Sequence, residues 1–221
     1  MTQVKVETNI LKANDDIATD LKEKFKAHGI TVINLISSPG AGKTTLLEHC
    51  IPKLKEKCSV GVIEGDILTT RDADRIAKLN VPVVQIETKG ACHLDANMVL
   101  KAVNQLDLDN LDLIIIENVG NLVCPATFEL AEDAKVVVLS IAEGSDKPAK
   151  YPTIFTKAKA CILNKMDLLP FSNFSMKDFY TDLRKINPKI KIFEVSALKD
   201  TGLDSWLDWL EGMRTNGGHQ N

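Results

Sequence analysis

The sequence predicts an α/β domain with a mainly parallel sheet flanked by helices. Short apolar runs of strand length recur along the chain, and segments with helical apolar spacing lie between most of them. Strands made almost entirely of Ile, Val and Leu are usually covered on both faces, as in a parallel sheet. The 221 residues, 44% of them hydrophobic, are enough to bury a core. We therefore expect residues 1–221 to form a single domain.

The elements are predicted in chain order. Apolar positions at helical spacing, opposite a charged face, predict an amphipathic helix over residues 8–28, within an N-terminal segment 1–30. The polar residues 214–221 are expected to be a disordered tail. Strands are predicted at Val32–Ile36, Ser59–Ile63, Val81–Ile86, Leu113–Ile116, Lys135–Leu139, Ala160–Leu163 and Lys191–Val195. Further helices are predicted at Thr44–Lys55, Asp72–Leu79, Leu94–Leu106, Phe174–Ile186 and Leu203–Met213.

Composition argues against several classes of protein. A net charge of −3 argues against nucleic acid as a partner, because proteins that grip nucleic acid usually carry a basic excess. The longest apolar run is only strand-sized, which argues against a membrane span, and the N-terminus lacks the pattern of a secretory signal. We therefore expect a cytoplasmic protein. The five scattered cysteines do not resemble a disulfide framework.

A phosphate-binding loop is predicted directly after the first strand. The pattern is that of GxxxxGK[ST] between a strand and a helix, except that Ser37 stands at the first glycine position. Glycines let successive N–H groups face a phosphate, and the helix N-terminus adds partial positive charge. Lys43 is expected to reach the β- and γ-phosphates, and Thr44 to ligate Mg²⁺. The predicted loop residues are Gly40, Ala41, Gly42, Lys43, Thr44 and Thr45.

Acidic residues then follow two strands, where the switch loops of a nucleotide-hydrolysing protein would lie. Glu117 ends a buried strand and is expected to hold or orient the Mg²⁺ shell, with the Gly120 N–H facing a γ-phosphate. Asp66 and Asp72 are candidates for contacting Mg²⁺ or positioning the attacking water. An alternative role for Asp72 is that of a helix N-cap. The predicted catalytic residues are Lys43, Asp66, Asp72 and Glu117, and the predicted Mg²⁺ residues are Thr44, Asp66 and Glu117.

A guanine-binding pattern follows a later strand. In NKMD, the Asp167 carboxylate would accept hydrogen bonds from the guanine N1–H and N2 amine, a pair of donors that adenine lacks. Lys165 would pack along the base, and Asn164 would tie the surrounding loops together. The last predicted strand ends in Ser196, Ala197 and Leu198, which resemble the loop that contacts the guanine O6. The set predicts a protein that binds GTP and GDP.

Two of the cysteines lie in loops together with a histidine. Cys92, His93 and Cys124 would supply two thiolates and an imidazole, which suit Zn²⁺ or Ni²⁺. The spacing alone is a weak signal, and a reactive or buried thiol remains the alternative. Cys124 lies four residues beyond Gly120. A metal bound there would therefore be coupled to the nucleotide state through a loop that both ligands bias.

Several motifs together resemble the HypB family, the nickel-inserting GTPases of nickel–iron hydrogenase maturation. These are SSPGAGKTTLL, EGD, GACHLDA, IIIENVGNLVCPA, NKMDLL and VSAL, and the similarity runs from about residue 10 to residue 212. The serine in the phosphate loop and the glutamate at the switch also fit this family. The resemblance implies the signal-recognition/MinD-type class of P-loop NTPases and dimerisation when GTP is bound.

The resemblance also implies a metal site and partners. Cys92, His93 and Cys124 match the family's metal site, with nickel as the cargo and Zn²⁺ able to occupy the same position. The implied partners are a small zinc-containing accessory protein and the hydrogenase large subunit. Lys150 lies in a stretch that resembles the one approaching the base across the dimer. The sequence thus predicts a GTP-gated metal-release switch with slow intrinsic turnover.

Three other functions remain open at this stage. A P-loop small-molecule kinase shares the phosphate loop, although NKMD argues against it. A metal-buffering protein with a vestigial GTPase would have a metal affinity that does not respond to nucleotide. The related GTPase that serves urease has a similar phosphate loop, but GACHLDA followed by NLVCPA favours the hydrogenase branch.

Overall fold

Parallel strands form the centre of the molecule. The structure, a computed structural model, describes residues 6–66 and 71–217. The strands are β1 (Thr31–Ser37), β2 (Val60–Asp66), β3 (Val83–Glu87), β4 (Leu113–Glu117), β5 (Ala134–Ser140), β6 (Ala160–Asn164) and β7 (Lys191–Glu194). They form one sheet in the order β3-β2-β4-β1-β5-β6-β7, and each neighbouring pair is parallel. The expected parallel sheet is therefore confirmed.

Helices connect the strands and cover the sheet. They are α1 (Val6–Ala27), α2 (Lys43–Leu54), α3 (Arg71–Ala77), α4 (Ala96–Val103), α5 (Lys147–Lys150), α6 (Pro152–Lys157), α7 (Met176–Ile186) and α8 (Leu203–Gly217). Short 3₁₀ turns lie at Leu108–Asn110, Cys124–Ala126, Ile141–Glu143 and Met166–Phe171. The sequence reading did not predict α5 and α6, each of which has a proline in its first turn, where the missing N–H costs nothing.

Capping residues account for two helix starts that differ from the prediction. Helix α4 is predicted to start at Leu94, but Asp95 caps the helix one residue later, accepting a 2.7 Å hydrogen bond from the Met98 N–H. Ser175 caps α7 in the same way, through the Asp178 N–H. Asp72 lies inside α3, so the alternative that made it the N-cap residue of that helix is wrong.

Apolar residues fill both faces of the sheet because the side chains of each strand alternate. On one face, Ile33 and Leu35 of β1 belong to the apolar cluster formed with α2 and α8. On the other face, Val32 joins a cluster with α1 and α4. Ile36, also on that face, joins a third cluster with α6 and α7. Coverage on both faces explains why the strands consist almost entirely of Ile, Val and Leu.

The chain's two terminal helices pack on this core. Helix α1 buries Leu21 and Phe25, so the predicted amphipathic helix does pack against the domain. Helix α8 continues to Gly217 and so includes the first residues of the predicted tail 214–221. Residues 218–221 lie outside the described residues. Within the described part of the chain, none of the helices has the length and apolarity to cross a membrane.

The carboxyl ends of the parallel strands meet at one edge of the sheet. There β1 leads into the predicted phosphate loop, β4 ends at Glu117, and β6 ends at Asn164. Strand order changes direction around β1, which has β4 on one side and β5 on the other. Open α/β sheets bind ligands at such a crossover, outside the carboxyl ends of the strands. The topology therefore brings the predicted nucleotide residues to one place.

Candidate functional site

The loop between β1 and α2 has the tight backbone of a phosphate loop. Gly42 has φ +96°, and a Cβ at this position would lie 2.7 Å from the Asn164 Nδ2. Both the backbone conformation and the lack of space therefore exclude a side chain there. Lys43 Nζ donates a 2.8 Å hydrogen bond to Ser37 Oγ. The serine that replaces the first glycine of the motif is thus a partner for the loop lysine.

A cavity of about 670 Å³ opens at this loop, large enough for a small-molecule ligand such as a nucleotide. It is lined by most of the residues predicted to bind the nucleotide. The predicted residues that line it are Gly40, Ala41, Gly42, Lys43, Thr44, Thr45, Asp66, Asp72, Glu117, Gly120, Asn164, Lys165, Asp167, Ala197 and Leu198. Glu64, Arg75 and Asn118 also line it, although the sequence reading gave them no role.

Glu117 lies at the end of β4, buried beside the phosphate loop. Its Oε1 accepts a 2.9 Å hydrogen bond from Thr44 Oγ1 and lies 3.9 Å from Lys43 Nζ. Burial raises the pKa of this carboxyl, and the nearby lysine ammonium opposes the rise. No hydrogen-bond partner for its Oε2 is present among the described residues. The carboxylate is therefore held in place through Oε1, and its Oε2 is buried without a described partner.

Glu64 is a second buried carboxyl at the same edge. The register of β2 and β4 pairs it with Glu117, and it is 3% exposed. Burial, followed by repulsion from Glu117, raises the pKa of Glu64. Carboxylate oxygens of Glu64, Asp66 and Asp72 lie within 4.8 Å of one another. Glu64 directly follows the predicted strand Ser59–Ile63, and this placement was its sequence signal, although only the neighbouring Asp66 was predicted to have a role.

Arg75 connects the segment after β2 to the phosphate-loop helix. It donates from both Nε and Nη2 to the Glu48 carboxylate and from Nη2 to Thr45 Oγ1, 3.1 Å away. Its Nη1 lies 3.0 Å from Asp72 Oδ1. A fork-shaped guanidinium is suited to bridging two carboxylates in this way. Asp72, predicted to position a water, is thus paired with a cation at the rim of the cavity.

The predicted base-binding residues lie close together. Asn164 Nδ2 donates to the Ala41 carbonyl (3.0 Å), and its Oδ1 accepts from the Ala197 N–H (3.0 Å), so this side chain joins three loops as expected. Lys165 Nζ donates to the Gly40 carbonyl at 2.8 Å. Asp167 accepts a short hydrogen bond from Ser196 Oγ. Ser196 therefore contacts Asp167 rather than lining the cavity.

Lys150 is placed elsewhere. It lies on α5, 61% exposed, and its Nζ is 2.6 Å from Asp146 Oδ2. Neither Lys150 nor Ser196 lines the described cavity, whereas the other predicted base-binding residues do. The structure of one chain therefore does not bring Lys150 to the nucleotide.

The three predicted metal ligands are brought together near this cavity. One ligand atom from each of Cys92, His93 and Cys124 lies within 4.8 Å of the other two. The two Sγ atoms are 2.9 Å apart, and Cys92 Sγ is 3.6 Å from His93 Nδ1. Burial lowers the pKa of His93, which favours the neutral imidazole that binds a metal. Two sulfurs and a nitrogen suit Ni²⁺ or Zn²⁺.

Hydrogen bonds link this cluster to the switch loop after β4. Asn121 Nδ2 donates to the Cys92 carbonyl at 3.2 Å. Asn118 Oδ1 accepts from the N–H groups of Leu94 (3.2 Å) and Val119 (2.9 Å), so one buried amide holds both loops. A Cβ added to Gly120 would lie 3.0 Å from the phosphate-loop Pro39. The segment that carries Cys124 therefore begins in contact with the phosphate loop.

Comparison with known proteins identifies the family. Residues 31–194 match the CobW/HypB/UreG nucleotide-binding domain. The hydrogenase maturation factor HypB of Escherichia coli K12 is 46% identical over 211 residues, which cover 96% of this chain and 73% of that protein. The chain belongs to the HypB family. Another HypB, the hydrogenase/urease maturation factor of Helicobacter pylori, is 41% identical, with 94% of this chain and 86% of that protein covered. The GTPase fold and the resemblance found in the sequence are thereby confirmed.

Solved structures agree with this assignment. The crystal structure of Helicobacter pylori HypB in complex with nickel aligns with a TM-score of 0.89 at 39% identity, covering 95% of this chain and 98% of that one. HypB from Archaeoglobus fulgidus aligns with a TM-score of 0.86 at 32% identity, covering 92% of this chain and 100% of that one. The signal recognition particle receptor FtsY of Elizabethkingia anophelis, 15% identical, has a TM-score of 0.57 and shares the fold. The fold is therefore that of the signal-recognition/MinD-type P-loop class.

Proposed function

We propose that this chain is a GTP-hydrolysing nickel metallochaperone that delivers nickel during nickel–iron hydrogenase maturation. The observation that carries the proposal is the cluster of Cys92, His93 and Cys124, with ligand atoms within 4.8 Å of one another. It adjoins the switch loop of a GTPase domain. A nickel-bound structure of the Helicobacter pylori relative supports nickel as the cargo.

The nucleotide site supports hydrolysis with residues in distinct roles. Lys43, held by Ser37, would neutralise charge that develops on the transferred phosphoryl group. Asp167 would select guanine by accepting two hydrogen bonds from the base. Asp72, paired with Arg75, is our candidate for orienting the attacking water. Turnover is expected to be slow because this catalytic set lacks a glutamine beside Gly120.

The residues around Glu117 fit a magnesium ion bound together with the nucleotide. Hydroxyl and carboxylate oxygens are the ligands Mg²⁺ prefers, and Oε2 of Glu117 is buried without a described partner. Thr44, Asp66 and Glu117 are the residues proposed to hold the ion. When bound, Mg²⁺ would supply positive charge that offsets the negative charge of the phosphates. The protein's own contribution is to fix these oxygens: Thr44 Oγ1 donates to Glu117 Oε1.

Coupling between the two sites is part of the proposal. Movement of Gly120 toward a γ-phosphate would pull on Cys124, four residues later. The same movement would act on Asn118, which bonds the Leu94 N–H next to His93. Two loops that share hydrogen bonds form an element that both ligands can bias. GTP would therefore change the nickel affinity of the cluster.

Dimerisation and partners complete the proposed cycle. Two subunits would close over their nucleotides when GTP is bound, with Lys150 approaching the base of the other subunit. Nickel would be received and passed on in contact with a small zinc-containing accessory protein and the hydrogenase large subunit. Zn²⁺ would compete for the cluster, since its ligand preferences overlap those of nickel.

The decisive experiment is a nickel titration followed by thiolate-to-nickel absorbance. It is run on the nucleotide-free protein, with GDP, and with a non-hydrolysable GTP analogue. A charge-transfer band whose midpoint changes with nucleotide is the expected result. The Cys92→Ala/Cys124→Ala double variant is the control and should lose the band while it still binds GDP.

Two other outcomes would favour rival functions. A nickel affinity that is the same in all three nucleotide states would indicate a metal buffer, and no band in any state would leave a GTPase without cargo. Competition between GTP and ATP separates a GTPase from a small-molecule kinase. The recipient is tested with hydrogenase and urease apoproteins side by side, because the Helicobacter pylori relative is named for both.

A further inference from the structure

His93 makes an aromatic contact that the other two proposed metal ligands cannot make. Its ring stacks on the ring of Phe128, with centroids 3.9 Å apart and planes 25° from parallel. A stack on its face leaves the edge of the imidazole, which carries both nitrogens, free to bind a metal. Rotation of the imidazole about χ2 would break the stack, so the contact restricts the direction in which the nitrogens point.

Phe128 is itself held by a buried ion pair. Its carbonyl accepts a 3.0 Å hydrogen bond from Lys135 Nζ, and that ammonium is 2.6 Å from Glu132 Oε1. Side chains of both Lys135 and Glu132 are almost fully buried, with exposures of 4% and 2%. Buried charges that are paired in this way leave the attached backbone little freedom. The backbone at Phe128 is therefore tied to strand β5, which carries Lys135.

Core packing does not account for Phe128. The three apolar clusters that make up the described core do not include it, and the ring is half-buried. Its ring partner among the described residues is His93. The phenyl ring thus contacts the metal cluster through one of its ligands.

We propose that Phe128 is a positioning residue of the nickel site and acts by holding the His93 imidazole in its ligating orientation. The inference rests on the proposed metal function of Cys92, His93 and Cys124. Groups that orient metal ligands commonly change metal affinity 10- to 100-fold when they are replaced. Phe128 does this through stacking, since it has no polar atom in its side chain.

The test is a double-mutant cycle on the full chain with Ni²⁺ as the probe. Phe128→Leu should weaken nickel binding about tenfold and shift the nickel absorption bands toward those of His93→Ala. In the His93→Ala background, the same Phe128→Leu change should have no further effect on the nickel dissociation constant. Phe128→Tyr keeps the ring and should restore binding to within about threefold of the parent protein.

Phe174→Leu is the matched control. Phe174 is buried in another cluster and packs on Phe179 at 5.5 Å, so its replacement destabilises the fold without touching His93. GDP affinity and melting temperature are recorded for every variant to report the state of the fold. Nickel affinity in Phe174→Leu should equal that of the parent protein.

Two other outcomes would contradict either the role of Phe128 or the metal cluster itself. If Phe128→Leu weakens nickel binding equally with and without His93, or not at all, Phe128 does not act through the imidazole and the inference is wrong. If the parent protein itself shows no thiolate-to-nickel band, the metal cluster is wrong, and the positioning role falls with it. The parent titration therefore separates failure of the proposed function from failure of the inference.

Discussion

At the scale of single residues, the pair Glu64 and Glu117 is the most unusual feature of the site. Strands β2 and β4 place the two carboxyls side by side in register, and both are 3% exposed. Two buried carboxyls so close together cannot both ionise cheaply, and burial raises the pKa of each. Without Mg²⁺, protonation of Glu64 relieves this repulsion, while Lys43 favours the charged form of Glu117.

The raised pKa values predict how stability depends on pH. A carboxyl whose pKa is higher in the folded state binds its proton more tightly there than in the unfolded state. Its stabilising contribution to the free energy of unfolding is therefore complete below its ordinary pKa, 4.5, and is lost as pH rises through the folded pKa. Glu64→Gln removes one such group. As pH is raised from about 6 to about 8, the free energy of unfolding of the nucleotide-free, metal-free variant should therefore fall less than that of the parent protein. The expected difference is on the order of 1 kcal/mol.

Urea unfolding in EDTA at several pH values checks this prediction. Glu56→Gln changes an exposed glutamate on the same molecule and should keep the parent's pH dependence. Equal pH dependence in the parent and in Glu64→Gln would show that Glu64 is not protonated in the folded apo state.

At the scale of elements, helix α1 braces both segments that carry the proposed metal ligands. Its buried Asn14 donates from Nδ2 to the Glu129 carbonyl (2.9 Å) and accepts at Oδ1 from the Ala96 N–H (2.8 Å). Ala96 begins α4 just after Cys92 and His93, and Glu129 follows the turn that begins at Cys124. One side chain of α1 thus fixes the spacing between the two segments.

Asn14→Ala should destabilise the protein by about 2 kcal/mol, because it leaves the buried Ala96 N–H and the Glu129 carbonyl without their partner. Urea unfolding with nucleotide bound measures the effect. Thr19→Ala on the same helix removes an exposed hydroxyl that bonds only within α1, to the Asp15 carbonyl, and should cost less than about 0.5 kcal/mol. A cost for Asn14→Ala no larger than that of Thr19→Ala would contradict the bracing role.

At the scale of the whole molecule, buried amides connect the proposed nucleotide site to the proposed metal cluster. Asn118 lines the nucleotide cavity, bonds the Leu94 N–H, and donates to Asn34 Oδ1 on β1 at 3.2 Å. Asn34 in turn donates to Glu132, the partner of Lys135, which holds the backbone of Phe128. Hydrogen bonds therefore run from the switch loop to the Leu94 N–H, next to His93, and to the carbonyl of Phe128, whose ring stacks on His93.

Asn118→Ala should reduce the coupling between the two ligands. Allosteric couplings are typically 5- to 150-fold in affinity, and we expect the ratio of nickel dissociation constants with GTP analogue and with GDP to move toward one by at least about threefold. Because coupling is reciprocal, the effect of nickel on the affinity for the GTP analogue should shrink by the same factor. Isothermal titration of each ligand with and without the other measures both.

Asn187→Ala is the matched control for this prediction. It removes an amide that bonds the carbonyls of Phe155 and Ala158, away from both sites. This variant should lose stability but keep the parent's coupling. If Asn118→Ala keeps it as well, the buried amides do not carry the coupling, and the direct covalent path from Gly120 to Cys124 is sufficient.

The sheet, the phosphate loop and the guanine motif could all be predicted from the amino-acid sequence. Each of these depends on residues close together in the sequence. The strands are runs of Ile, Val and Leu, the loop has glycines before Lys43, and the predicted base contact is four consecutive residues ending in Asp167. A local pattern can be interpreted without knowledge of the fold, because burial, a positive φ or a fixed set of hydrogen-bond acceptors explains it directly. Even Ser37, the departure from the phosphate-loop pattern, could be seen in the sequence, although its bond to Lys43 could not.

Contacts between residues far apart in the sequence could be found only from the packing of the folded chain. Strand register places Glu64 beside Glu117, α1 brings Asn14 between the two metal segments, and the connection before β5 places Phe128 on His93. Nothing in the spacing of these residues signals the contacts, because they depend on how separate elements pack. The pairing of two buried acids and the stacking of one ring on another follow from that packing, and with them the electrostatics and geometry proposed for both sites.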